Sequence, residues 1–244
     1  MSYYSIRIPP DRLGDVWTSV NHQGYALTDD REMGLPANLI GDFRQQYFHA
    51  PLLRHDDGDW PEDRLRARDV VRYQRLGDAL QLQEHETVTI TDRAGIPGER
   101  DHSRVWLLAD TQATELICAL LQLVPPSRRK PEGTFGVNLL RTFTNVVTRP
   151  HHDREEFIII CVLSRIGGGA ETYLYRPDDV PDVGEPVAEP VLRHQLNPGD
   201  MIIFEDRLFK HGATPLENPL YGTAMRDALV CTVDHRETYL TANA

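Results

Sequence analysis

Beyond Pro131 the chain breaks into short apolar runs, FGVNLLRTF, FIIICVLSR, ETYLYR, VLRHQL, DMIIFE and RDALVCTVD, parted by Gly, Pro, Asn and Asp clusters. Runs of this length, rich in β-branched and aromatic residues and bounded by turn formers, read as strands. Because no helical repeat separates them, they pair antiparallel and must close on themselves as a sandwich or barrel. The first half has the other period. After Pro9-Pro10, Leu13, Val16, Trp17 and Val20 recur at helical spacing, with Asp11 as cap and Gly24 as stop. A second helix is expected after Pro36, with Leu39, Ile40, Phe43 and Tyr47 on one face. The clearest is DTQATELICALLQLV, capped by Asp110 and ended by Pro125-Pro126. Helices first and strands later predict a mainly β fold, a jelly roll with flanking helices. The whole chain, 1–244, reads as one domain: a helix-rich part over 1–130 and a β part over 131–244. Within the first part lies HDDGDWPEDRLRARDVVRYQRL, whose dense opposite charges predict a solvated helix face or an ion-pair cluster.

Composition removes several function classes. The formal charge is -11, with no basic cluster interleaved with aromatics, so nucleic acid is not expected as a partner. Lys130 and Lys210 are the only lysines, which leaves little material for Schiff-base or P-loop chemistry. The 3 cysteines, Cys118, Cys161 and Cys231, each sit in an apolar run and read as small buried hydrophobes of a reduced, cytoplasmic protein. FIIICVL is too short to span a bilayer, so no membrane association is expected. PDDVPDVGEPVAEP, within 177–190, reads as a solvated loop or as a lid over the barrel mouth. Gly167-Gly168-Gly169 reads as a turn or bulge between strands.

Candidate chemistry centres on His151-His152-Asp153. Non-haem iron is held by two histidines and one carboxylate on one face of the metal, and residues i and i+2 of a strand point the same way. With 10 histidines in the chain, about one His-x-Asp is expected by chance, and His55-Asp56-Asp57 is a second instance. Context separates them. His55 lies in a charged run with no strand attached, whereas His151 and Asp153 directly precede the most apolar strand. His152, next to Asp153, would face away from the metal. A third ligand is available in His211, after the strand MIIF and a tight turn. Fifteen residues further, Arg226 opens the last strand, and a guanidinium facing the pocket suits a dicarboxylate.

HHDREEFIIICVLSRIGGGAETYLY, NPGDMIIFEDRLFKHGATPL and the Arg-Asp start of the last strand together resemble the iron(II)- and 2-oxoglutarate-dependent dioxygenases. More narrowly, the chain resembles the small bacterial free-amino-acid hydroxylases, the group of isoleucine 4-hydroxylase and the pipecolic acid hydroxylases. The resemblance is specific over the C-terminal half and only a general layout over the rest. It implies a cupin-like double-stranded β-helix. It also implies Fe(II) on His151, Asp153 and His211, Arg226 on the distal carboxylate of 2-oxoglutarate, and O2 as co-substrate. The implied reaction hydroxylates an unactivated carbon of a free aliphatic or cyclic L-amino acid such as proline or pipecolate, giving succinate and CO2. Halogenases of this superfamily usually lack the carboxylate ligand, so Asp153 favours hydroxylation. One departure is Arg154, where the family usually has glycine, followed by Glu155 and Glu156. For the substrate's carboxylate and ammonium, Arg141 and Asn138, and Glu155 or Glu156, are the expected contacts. The alternatives are a hydroxylase of a carrier- or peptide-bound residue and a non-catalytic metal- or small-molecule-binding jelly roll.

Overall fold

The computed structural model of the protein describes residues 2–4, 8–55, 64–77, 79–84, 90–91, 97–98, 104–143, 148–181 and 185–235. In chain order the first part holds β1 (Ser2–Tyr4), α1 (Pro10–Gln23), β2 (Tyr25–Asp29), α2 (Leu39–Tyr47), β3 (Arg64–Leu76), β4 (Ala79–Glu84), β5 (Ile90–Thr91), β6 (Pro97–Gly98) and α3 (Thr111–Gln122). Then come β7 (Glu132–Thr142), β8 (Thr148–His151), β9 (Glu155–Ile166), β10 (Gly168–Gly169), β11 (Thr172–Tyr175), β12 (Leu192–His194), β13 (Asp200–Glu205), β14 (Lys210–Ala213), β15 (Leu216–Glu217) and β16 (Met225–His235).

The three expected helices form. Pro10 opens α1, where a missing N–H costs nothing, and Asp11 lies in its first turn instead of capping it. Gly24 ends α1 at φ 83, a left-handed conformation that favours glycine, with its N–H donating to Val20 O at 2.9 Å. Asp110 caps α3, its carboxylate accepting from the N–H groups of Gln112 at 3.1 Å and Ala113 at 3.4 Å.

The expected mainly β, jelly-roll architecture is present. An eight-stranded antiparallel sheet runs β1-β4-β3-β7-β16-β9-β13-β2, and a four-stranded sheet runs β12-β11-β14-β8. The larger sheet is buried on both faces. Phe157, Ile159 and Cys161 of β9, with Phe135, Val137 and Leu139 of β7 and Leu229 and Cys231 of β16, pack on the helices. The alternate residues Ile158, Ile160 and Val162, with Ile202, Phe204 and Ala228, face Leu174 of the smaller sheet. Each such fully buried aliphatic or aromatic side chain contributes about 1.5–3 kcal/mol.

The charged run ahead of Leu76 differs from its expectation: residues 64–76 form β3, paired with β7 and β4. Its period is 2. Ala67, Val71 and Tyr73 pack among the helices, while Arg64, Arg66 and Arg68 turn to the opposite, inner face. Thus β2, β3 and β4 of the helix-rich part belong to the main sheet. All three cysteines are buried and free, as the apolar runs suggested. Gly168 and Gly169 pair with β15, and a Cβ at Gly167 would collide with the Glu217 carbonyl, so close backbone approach explains the glycines. Among the described residues no helix is long and apolar enough to cross a membrane.

Candidate metal centre

The site forms where the small sheet meets the inner face of the large one. His151 at the end of β8 and His211 on β14 are cross-strand partners, so the ladder places their rings 4.6 Å apart, centroid to centroid. Asp153 follows His151 and returns its carboxylate to both rings. His151 Nε2 lies 3.3 Å from Asp153 Oδ1, and His211 Nε2 lies 3.5 Å from Asp153 Oδ2. One ligand atom from each of the three falls within 4.8 Å of the others. Two imidazole nitrogens and one carboxylate oxygen at that spacing form a donor set that could hold a divalent iron.

Neighbouring groups orient these donors. His151 Nδ1 makes a 2.9 Å contact with Arg149 O, which directs Nε2 inward as the ligand nitrogen. His211 is buried, and its ring lies 4.9 Å from that of Phe204. Burial pushes its pKa down to about 4, so it keeps a neutral, ligating imidazole at ordinary pH. Its Nδ1 lies 3.8 Å from Asp206 Oδ1 and has no hydrogen-bond partner.

Asp206, which no sequence motif marked, organises the loop that carries Asp153. Its fully buried carboxylate accepts from the backbone N–H groups of Asp153 at 3.1 Å, Arg154 at 2.7 Å and Glu155 at 3.1 Å. The loop needs that hold, because Arg154 sits at φ 69, the left-handed region that favours glycine. His152 points elsewhere, its Nδ1 bonded to Asp206 O. His55 lies apart, its Nδ1 3.3 Å from Arg64 O, and its companions Asp56 and Asp57 lie outside the described residues. The beginning of the Pro- and acid-rich loop is fastened beside the site. Lys210 Nζ donates to Val180 O at 2.7 Å and Arg149 Nη2 to Pro181 O at 3.3 Å.

Arg226 stands on the inner face of β16, opposite Thr142 on one side and Arg165 on the other. Its Nε and Nη2 are shut off from solvent and have no hydrogen-bond partner. Burial, and then the neighbouring Arg165, lower its pKa to about 10. Arg165 is itself held by the carbonyls of Gly167, Leu196 and Gly169. A desolvated guanidinium beside a second cation calls for an anion. Asp227, next in sequence, does not supply it. That buried carboxylate faces the helices and binds Arg44 Nε at 2.7 Å and Arg141 Nε and Nη2 at 2.7 and 2.8 Å.

Of the expected substrate contacts, Arg141 is therefore a correction. It lies on the helix face of β7, held by Asp227 and by Phe48 O at 2.9 Å. Glu156 is engaged by Lys130 at 2.8 Å. Glu155 is buried beside the metal site, and Asn138 faces inward, its Nδ2 donating to Val230 O at 3.1 Å. Arg68 of β3, which the sequence did not single out, lies on the same inner face. It is paired in register with Asn138, and burial lowers its pKa against the opposing pull of Glu155 and Asp153. The inward alternation of Arg64, Arg66 and Arg68 was the available signal, hidden by the charge density around it.

The family model described as 2OG-Fe dioxygenase matches residues 59–232. A crystal structure of a bsmA homologue from Methylobium petroleophilum is similar at TM-score 0.71 and 18% identity, over 91% of this chain and 93% of that one. IDO from Bacillus thuringiensis is similar at TM-score 0.68 and 14% identity, over 92% and 100%. An Fe(II)/α-ketoglutarate-dependent dioxygenase, TqaL, is similar at TM-score 0.67 and 13% identity, over 93% and 89%. At these identities the likeness is one of fold. No curated protein matches the sequence.

Proposed function

The chain belongs to the 2OG-Fe dioxygenase family, and from that premise we propose that it hydroxylates an unactivated side-chain carbon of a free aliphatic or cyclic L-amino acid. It is an enzyme that takes Fe(II), 2-oxoglutarate and O2, so the alternative of a non-catalytic jelly roll falls away. In this reading His151, Asp153 and His211 hold the iron, and Arg226 takes the distal carboxylate of 2-oxoglutarate. The observation that carries it is the convergence of two imidazoles and one carboxylate, with a guanidinium on the inner face of the same fold whose Nε and Nη2 are shut off from solvent and unpartnered. Bound iron with 2-oxoglutarate supplies the oxidising power for C–H hydroxylation, and succinate and CO2 leave as co-products.

The protein's own share is placement. The Asp206 carboxylate and the Arg149 carbonyl hold the ligand loop and the His151 ring in position before any metal arrives. Burial keeps His211 neutral and therefore able to ligate. The inner apolar residues Ile158, Ile160, Phe204 and Leu174 exclude water from the reacting space. Glu155, a buried carboxylate beside the site, takes the substrate ammonium. Asn138 offers an amide for polar contact. The net charge of -11 supports a small-molecule substrate over a nucleic acid.

The test is succinate release with Fe(II), 2-oxoglutarate and a panel of free amino acids, with mass spectrometry for the gain of one oxygen. His151→Ala and His211→Ala should abolish turnover. Arg226→Ala should raise KM for 2-oxoglutarate by about 10- to 100-fold, the loss of one charge-assisted pair. An active His211→Ala protein would sink the ligand assignment. Turnover confined to carrier- or peptide-bound residues would move the substrate to the alternative reading.

A further inference from the structure

The inner face carries a second arginine with a buried donor for which the iron and cosubstrate give no use. Arg68 Nε is shut off from solvent with no hydrogen-bond partner. Its Nη2 reaches across β7: a Cβ on Gly136 would stand 3.6 Å from it, and that same Cβ would collide with Thr232 Oγ1 on β16. The glycine answers to Thr232, and the distance to Nη2 shows that the guanidinium lies over β7 toward the metal end. Burial disfavours its charge; Glu155 and Asp153 favour it, and Arg66, on the same face, opposes it.

Two considerations decide what this group is for. When a divalent cation occupies the His151, Asp153 and His211 site, the Asp153 charge is spent on it. The pull of Asp153 on Arg68 is then reduced, and a guanidinium whose Nε is shut off from solvent and unpartnered calls for an additional anion. That anion is not the distal carboxylate of 2-oxoglutarate. Arg68 pairs with Asn138 of β7 and Arg226 with Thr142 of the same strand, and β7 lies between β3 and β16. Their backbone positions are therefore roughly 13 Å apart along the strands and roughly 10 Å apart across them, and the Arg68 side chain leans further away, over Gly136, so the two guanidinia do not converge on one short dicarboxylate.

We propose that Arg68 binds the carboxylate of the primary substrate, with Glu155 at its ammonium, so that a zwitterionic head group is fixed beside the iron and the side chain is presented to it. This rests on the amino-acid reading above and names the residue that would enforce it. It gives Arg68, one of three arginines on the inner face of β3, its counter-ion. It also makes the free carboxylate a requirement, which excludes amides and thioesters.

The experiment uses the full chain loaded with Fe(II) and 2-oxoglutarate under argon, so that binding is read without turnover. L-isoleucine and L-pipecolate are titrated calorimetrically, each as free acid and as carboxamide, beside their deaminated acids 3-methylpentanoate and cyclohexanecarboxylate. The wild type should favour free acid over carboxamide by about 30-fold or more, the worth of a bidentate charge-assisted pair. Arg68→Gln should bring the acid down to the carboxamide's affinity, and Arg68→Lys should keep part of the preference, both with 2-oxoglutarate affinity unchanged. If the Gln protein does not fold, the Lys variant decides by its reduced acid-to-amide ratio. An undiminished ratio in these variants, or no discrimination in the wild type, overturns the proposal. If deaminated acids bind as well as amino acids and still depend on Arg68, the carboxylate anchor stands and the amino-acid reading fails.

Discussion

Arg154 carries the most local tension of any residue at the site. A left-handed backbone costs a non-glycine residue about 1–2 kcal/mol, yet φ is 69 here because Asp206 draws in the N–H groups on either side of the turn. Arg154→Gly should therefore raise stability by about 0.5–1 kcal/mol, the relief being partly offset by glycine's freer unfolded chain. A shift of the urea midpoint to higher concentration, with iron-dependent turnover retained, is the expected result; a lower midpoint contradicts it. The sequence marked Arg154 only as a departure from the glycine usual in the family it resembles; the left-handed turn at that position comes from the fold. Its keeper was not marked at all. Asp206 sits in an unremarkable Glu-Asp-Arg turn after β13, and only the fold brings it beneath a loop more than fifty residues earlier in the chain.

At the level of elements, what was legible followed from period. The helices announced themselves because their apolar residues recur every three or four positions against one core. The Asp110 cap is the clearest case, since its carboxylate also accepts from Tyr47 Oη at 3.3 Å and so ties α3 to α2. Asp110→Ala should cost about 1–2 kcal/mol, read as a lower thermal midpoint with KM for 2-oxoglutarate unchanged; a shifted KM would mean that the cap also acts on the site. Strand β3 was hidden by the same logic. An alternating strand reveals itself when one face is apolar and the other is solvated, but the second face of β3 is turned inward and lined with arginine. Charge that serves a buried site is indistinguishable, residue by residue, from charge that serves the solvent.

Across the whole molecule, Asp227 is the joint between the helical layer and the sheet. Its carboxylate, wholly removed from solvent, binds Arg44 of α2 and Arg141 of β7 on one side of β16, while its neighbour Arg226 faces the opposite side. Asp227→Ala leaves two guanidinia without their anion and should cost about 3–5 kcal/mol, measurable by calorimetric unfolding. The loss should also raise KM for 2-oxoglutarate through displacement of Arg226, and an unchanged KM would show that the two faces of β16 are independent. Strand β16 itself lies between β7 and β9, so the β1-β4-β3-β7 part and the β9-β13-β2 part of the large sheet meet only through it. During synthesis, both parts must wait with raw edges until residues 225–235 clear the ribosome. A chain cut within β16 therefore loses the joint between the two parts of the large sheet, and with it the strand that carries Arg226.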